Sequence, residues 1–529
     1  MSTHDETIRL GQRDLTIEDV VAVAREGRTV PAPDETVVAR MEETRSWVDA
    51  AVRGDGAAIY GVNTGFGSLA TRRIAPEETG LLSRNVILKC LVGVGPPLPP
   101  DVVRAMLLIR AASLARGFSG VRPAIVGSLI EMLNRGVTPI VPSKGSLGAS
   151  GDLAPCAHIA AVATRAPDTA THDHSGEAWY EGERLSGEEA MRQAGIERFP
   201  TGPKEGLALT NGTGQMVASG ALALHDAEEL VRHAEIAAAL SMEALLCLSS
   251  PLHPALHEAN GQPGQIRTAA HLRRLLAESR LIDTASERVQ DAYSIRCTPQ
   301  VLGPIRDTLA FLRHRFTGAI NAAADNPLIF PSPNGDYEAV SGGNFHGQGP
   351  ALWLDILGIA VAEAAGLAER RTFRLLTPEL SGGLPAMLVH AEGLNSGLMA
   401  IQYTAAALVS ENKTLAHPDS VDSIPSSANQ EDHVSMGANA ARHTLEIVDN
   451  VRTVIAIEFL TAAQAIHLRC DGPNRLGRGT AAAYGVIRQR IPPVEYDREL
   501  SPDIGAIDAM IRSGEILDAT REAVGAEDA

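Results

Sequence analysis

A mainly helical fold, with a smaller mixed N-terminal region joined to a long central helical bundle, is what three features of this 529-residue sequence predict. Aromatic residues are only 4 % of the chain, so its interior must close on small and aliphatic side chains, as helices packed against each other do. Three long stretches have no interior proline and are rich in helix-forming residues. Before about Pro203 the texture differs: short apolar runs alternate with Gly/Pro punctuation. The expected division is therefore residues 1–203, mixed, and residues 204–529, the long-helix bundle and a C-terminal helical region, with no Pro/Ser-rich or charged linker between them.

In the first region, Gly93-Val94-Gly95-Pro96-Pro97-Leu98-Pro99-Pro100 breaks the chain into short helices and strands. The one polar low-complexity loop runs near Pro167 to Gly176. Beyond Pro203, Asn211–Cys247 reads as a long helix, followed by Pro350–Leu376, where proline suits a helix start, and Ala438–Cys470. In the last, Val448, Val451, Ile455 and Phe459 recur at three- and four-residue steps and form a buried packing stripe.

Charge and cysteine content narrow the function. The formal net charge of -18 repels nucleic acid phosphates. Five cysteines, Cys90, Cys156, Cys247, Cys297 and Cys470, are an odd number without a Cys-x-x-Cys pair, which suits a reducing cytoplasm and neither a disulfide framework nor a zinc site. Met1–Asp19 is polar and lacks the apolar stretch of a signal peptide. No long uncharged apolar run offers a membrane span; the best candidate, Ala234–Leu248, contains Glu243. A cytoplasmic protein with no nucleic-acid or membrane partner is expected. His253 and His257 have the spacing of helical metal ligands, but Pro251 and Pro254 disturb a helix there and no carboxylate motif accompanies them, so no metal is expected.

The most informative segment is Gly145-Ser146-Leu147-Gly148-Ala149-Ser150-Gly151-Asp152-Leu153. It is neither a nucleophile elbow, because Asp152 stands where the second glycine belongs, nor a phosphate loop, because Lys144 precedes the glycines. Attack of the Gly151 nitrogen on the Ala149 carbonyl carbon would close a five-membered ring, and dehydration of Ser150 would leave an exocyclic methylene, an electrophile that no side chain provides. A plain Ser/Gly turn with Asp152 capping the next helix is the other reading. The segment resembles the signature of the histidine/phenylalanine ammonia-lyase family, whose prosthetic group is the 4-methylideneimidazole-5-one (MIO) formed from Ala-Ser-Gly.

Further motifs resemble the same family in the same order, from Asp14 to about Arg478. Elimination of ammonia needs an electrophile, a base for the β-proton and a cation for the carboxylate. Tyr60-Gly61-Val62-Asn63-Thr64-Gly65-Phe66-Gly67 is similar to the family's tyrosine loop, which implies Tyr60 as that base. Gln290-Asp291-Ala292-Tyr293-Ser294-Ile295-Arg296 is similar to the segment that supplies the carboxylate-gripping arginine, Arg296, with Gln290 and Tyr293 lining the site. Asn211, in Asn211-Gly212-Thr213, would hold the MIO ring or the substrate amine, though alone it reads as a helix cap; Phe345 would pack beside the ring. Asn429-Gln430-Glu431-Asp432-His433 resembles the histidine-type members, with Glu431 placed for an imidazole. Ser410-Glu411-Asn412-Lys413 has the same character.

One departure stands out. The resemblance places Lys89-Cys90 where histidine and many tyrosine lyases carry Ser-His, whose histidine contacts the substrate side chain. Either L-histidine is retained through Glu431, or the substrate has changed, with Lys89 pairing with Glu431 or with an acidic substituent. The resemblance implies an MIO-dependent ammonia-lyase, first L-histidine to urocanate, assembled as a homotetramer whose active sites are shared between chains. An aminomutase is the runner-up, because Gly347-Gln348 after His346 resembles part of some aminomutases. A catalytically silent helical binding scaffold is the alternative from another class.

Overall fold

A computed structural model describes residues 7–54, 58–168, 173–285, 287–470 and 472–525, so residues 169–172 of the expected polar loop lie outside the described residues. The long helices fall close to where composition places them: Gly214–Ala244, Gln348–Leu376 and Gly437–Arg469. The chain forms two compact units. The first comprises residues 1–225, 313–355 and 418–442; the second comprises 226–312, 356–417 and 443–529. Four of their five limits, all but 417/418, fall inside long helices and none at the change of texture near 203, because helix-forming composition runs on regardless of which unit a helix segment packs in.

The first unit has the expected mixed texture. Among the described residues short strands pair in four small sheets, including Val94–Pro97 with Pro142–Lys144, antiparallel, and Thr164–Arg165 with Phe199–Pro200, parallel. Thr138–Pro139, Glu177–Tyr180 and Glu183–Ser186 form a three-stranded antiparallel sheet. One hairpin lies beyond the expected mixed region: Leu328–Pro331 pairs with Tyr337–Val340. The helices Pro100–Ala115 and Pro123–Arg135 each begin on proline, whose missing N–H costs nothing in a first turn. A buried ion pair, Lys204 with Asp325 at 2.6 Å, ties distant segments of this unit together.

In the second unit the stripe Val448, Val451, Ile455 and Phe459 is buried, and so are Val454, Ala456 and Ile457 between its members. The helix is covered on more than the one face that the periodicity marks. It also carries Glu458, whose carboxylate takes two hydrogen bonds from Arg371, at 2.5 and 2.7 Å, and one from the Ser241 hydroxyl at 2.7 Å. Glu235 is likewise held by Arg306, His271 and Thr268.

Ala234–Leu248 is not the best candidate for a long apolar run. Gln348–Leu376 and Gly437–Arg469 are both long and apolar enough to cross a membrane by length and composition, with 56 % and 83 % of their apolar windows buried inside the protein. Charged residues on them, Arg371 and Glu458, are paired in the interior, and the scattered charges hid these runs from a search for uncharged segments.

The Arg371–Glu458 pair yields a test. Glu458→Ala strands a buried guanidinium, so the urea midpoint should fall by the equivalent of about 3–5 kcal/mol, whereas replacing both residues by apolar ones of similar volume should cost much less. Equal losses would show that the pair acts only through its packing volume.

Candidate active site

The segment around Ser150 is shaped by backbone meeting backbone. Gly151 has φ 74°, and a Cβ there would fall 2.2 Å from the Gly212 carbonyl oxygen, so only glycine fits. The Asp152 N–H donates to Gly212 O at 2.7 Å, and the Asn211 side-chain amide donates to the Ser150 carbonyl at 2.8 Å. Gly148, at φ 73°, is pressed as closely against Ser435, whose hydroxyl donates to the Gly148 carbonyl at 3.2 Å. Asn211 itself ends the short helix Glu205–Thr210, where the buried Arg110 holds its carbonyl at 2.8 Å.

Asp152 does not cap the helix Leu153–Ala163 that it precedes. Its carboxylate, fully buried, instead accepts the Met216 N–H at 3.0 Å, at the start of the helix Gly214–Ala244, and the Ser146 hydroxyl at 3.3 Å. That start has free N–H groups and a positive dipole end, which attract the carboxylate more strongly than the adjacent turn does. Burial pushes the Asp152 carboxyl up to about 6, against the pull of the Met216 and Gln215 N–H groups, Ser146 and Arg110.

Ser150 lies in the wall of a cavity of about 620 Å³ that also includes Tyr60, Lys89, Asn211, Phe345 and Glu431. Glu431 reaches it from a tight turn. The Ser150 hydroxyl donates to Glu431 Oε1 at 2.9 Å, and the Ser426 hydroxyl donates to Oε2 at 2.9 Å. Ser426 and Glu431 also exchange backbone hydrogen bonds, and between them Ser427, Ala428 and Asn429 have φ of 50°, 53° and 65°. Three consecutive non-glycine residues in the left-handed region are costly, and they persist because the cross-turn bonds fix them. Opposite, the Gly67 N–H donates to the Tyr60 phenol oxygen at 3.1 Å, and Phe66 meets the Tyr60 ring edge-on.

Lys89 does not pair with Glu431. Among the described residues its ammonium has no carboxylate partner and lies 5.4 Å from the centre of the Phe66 ring. Cys90 faces a smaller cavity of about 180 Å³ that shares Lys89, Ala149, Ser150, Leu153 and Glu431 with the larger one. Burial pushes its thiol up, partly offset by Lys89.

The larger cavity is lined by the first unit alone, whereas Gln290, Tyr293 and Arg296 belong to the second. There Gln290 is exposed, Tyr293 is 71 % exposed, and the Arg296 guanidinium lies 4.6 Å from the centre of the Tyr293 ring. Sequence reasoning passed over Ser426, which has no motif of its own, and the stacked rings of His346 and His433, 5.6 Å apart in the cavity wall. His257 uses both ring nitrogens, on Pro251 O and the Gln265 amide, while His253 accepts the Ala255 N–H.

Comparison with known proteins sets the class, a carbon–nitrogen lyase on a mainly helical scaffold. The family model described as aromatic amino acid lyase matches residues 15–489, and the chain belongs to that family. It is 48 % identical to a histidine ammonia-lyase of Treponema denticola over 95 % of this chain and 96 % of that protein. Its fold is similar to the crystal structure of histidine ammonia-lyase from Trypanosoma cruzi, with a TM-score of 0.88 and 38 % identity over 98 % of this chain and 96 % of the other. It is also similar to a tyrosine aminomutase from Streptomyces globisporus, with a TM-score of 0.90 and 34 % identity over 98 % and 99 %.

Asp152 gives this site a signature in stability. Its folded value near 6 lies above the ordinary 3.8, so the folded chain holds the proton longer than the unfolded chain. The contribution is therefore fully present below the unfolded value and is lost as pH rises through about 6, on the order of 3 kcal/mol. Urea midpoints of the wild type and Asp152→Asn, compared between about pH 4 and pH 7, should diverge in slope, the variant being flatter. Parallel slopes would show that Asp152 is ionised throughout.

Proposed function

We propose that this protein eliminates ammonia from L-histidine to give urocanate, using an MIO group made from Ala149, Ser150 and Gly151. The observation that carries the reading is Glu431 beside Ser150 in a cavity that also presents Tyr60. A carboxylate there suits an imidazole N–H, and apolar aromatic substrates would leave it unpaired. The 48 % identity to a histidine ammonia-lyase supports a lyase over a mutase. The alternatives of a changed reaction or a silent scaffold draw no support from a cavity in which these groups converge.

The residues fit the MIO group. The Gly151 nitrogen and the Ala149 carbonyl belong to a turn tight enough for Ala149 and Gly151 to bridge. Asn211 covers the Ser150 carbonyl, while among the described residues its own Oδ1 is buried without a hydrogen-bond partner. Once formed, the group supplies the electrophile that the side chains lack. In this reading Tyr60, whose oxygen accepts the Gly67 N–H, takes the β-proton. Phe345 and Phe66 supply apolar wall, and Arg296 would hold the substrate carboxylate through paired hydrogen bonds.

Because Arg296, Tyr293 and Gln290 do not line the cavity, the same reading places them on a partner copy, in a homotetramer with shared active sites. Unpartnered apolar surface supports assembly: Leu352, Ile359 and Phe373, at seven- and fourteen-residue steps on one helix, are 46 %, 49 % and 39 % exposed. Five free thiols accord with a cytoplasmic enzyme. Mixing Ser150→Ala with Arg296→Ala, each inactive alone, should restore part of the activity after subunit exchange. Failure of every mixture, with exchange verified, would place both residues in one chain's site.

A second reading rests on Lys89, an ammonium in the cavity wall that has no carboxylate partner among the described residues: the substrate carries an acidic ring substituent. Purified protein supplied with histidine, tyrosine, phenylalanine and carboxylated analogues, with α-amino, β-amino and deaminated products resolved, separates the two. Histidine should be preferred and urocanate formed, and Cys90→His should retain or raise histidine turnover, shifting kcat/KM by up to about 5- to 150-fold for one good hydrogen bond. Preference for another amino acid, or a β-amino product, would overturn the histidine assignment.

A further inference from the structure

Before any ring forms, the Ser150 hydroxyl is a group that must leave, and it lies within hydrogen-bond distance of a carboxylate. We propose that Glu431 is the acid catalyst of Ser150 dehydration, so that it helps to build the electrophile before it meets a substrate. The inference rests on the reading that Ala149, Ser150 and Gly151 become MIO.

Two sets of contacts bracket the eliminating unit. On one side the Asn211 amide and the Gly212 N–H point at the Ser150 carbonyl oxygen, at 2.8 and 3.4 Å. Negative charge that builds on that oxygen as the Cα proton departs is met by these donors, which acidifies the Cα–H bond. On the other side Glu431 Oε1 lies 2.9 Å from Ser150 Oγ, and the Ser426 hydroxyl donates to Oε2 at the same distance. Once Glu431 has given up its proton, the Ser426 bond stabilises the carboxylate that remains.

The atoms balance in two steps. The Gly151 nitrogen bonds to the Ala149 carbonyl carbon and gives up its proton to that carbonyl oxygen; the Ser150 nitrogen then loses its own proton as it forms a C=N bond to the same carbon, and the oxygen leaves with both protons as the first water. Solvent first gives Glu431 a proton, which reverses its hydrogen bond with Ser150 Oγ. Ser150 then loses its Cα proton to solvent, the electron pair forms the Cα=Cβ bond, the Cβ–Oγ bond breaks, and the hydroxyl takes the Glu431 proton to leave as the second water, so that Glu431 is a carboxylate again. Ser426 touches no reacting atom and is a positioning residue.

The test is intact mass and peptide mapping of freshly synthesised full-length chain, sampled over time. Wild type should lose two waters, about 36 Da. Glu431→Gln, which keeps the shape of the side chain, and Glu431→Ala should stop at the loss of one water, about 18 Da, or complete the second loss about 10²-fold more slowly, with circular dichroism and elution volume unchanged. Ser426→Ala should slow the second loss, and Ser426→Thr, which keeps the hydroxyl, should restore it. Full loss at the wild-type rate in both Glu431 variants would overturn the proposal while leaving the MIO reading intact. Wild type that loses no water would overturn the MIO reading and the proposal with it.

Discussion

The contact on which the site depends is the approach of two peptide backbones, residues 150–152 and 211–212, with no side chain between them. A single added carbon at Gly151 would lie 2.2 Å from the Gly212 oxygen, and one at Gly212 would lie 2.6 Å from the Ala324 oxygen. Stacking three chain segments this closely leaves their polar groups only each other as partners, hence the Asp152 N–H on Gly212 O and the Asn211 amide on Ser150 O. The same approach brings Asp152 to the start of the helix Gly214–Ala244 and lets Arg110 anchor Asn211. The rest of the cavity is arranged around a turn that those contacts have already fixed.

From that turn the cavity extends between two loops that restrain each other. Gly67 comes so near Ser427 that a Cβ would fall 2.8 Å from its hydroxyl oxygen. Gly67 orients Tyr60, and Ser427 belongs to the turn that carries Glu431, so the phenol and the carboxylate are positioned through one point of contact. Displacing either loop would move both groups, and tolerances in such sites are of the order of 1 Å.

Much of this was legible in the sequence, for identifiable reasons. The long helices could be read to within a few residues because their composition is uniform from end to end, and Val448, Val451, Ile455 and Phe459 marked a buried face through their spacing. Tyr60, Asn211, Phe345 and Glu431 could be named because each stands in a distinctive string of neighbours. The real partner of Asp152 could not be read from the sequence, because it lies 64 positions along the chain and a local cap was the nearest alternative. Ser426 left no trace, since its importance comes from a turn whose left-handed residues are not glycines. The hairpin at Leu328–Val340 and the limits of the two units lay beyond a reading by texture, which reports element type and not what each element packs against.

The left-handed run at Ser427, Ala428 and Asn429 also constrains how a lineage can vary this cavity. Branched side chains such as Val or Ile pay heavily in that backbone region, so the wall bearing Glu431 can drift only among a few small or amide residues. Lys89 and Cys90 face no such restriction: they close the helix Thr79–Lys89 in ordinary right-handed geometry, where any side chain can stand. The Lys89–Cys90 wall is thereby the freer of the two to vary, and it is also where the sequence differs from the Ser-His pair that its resemblance to histidine-type lyases leads one to expect.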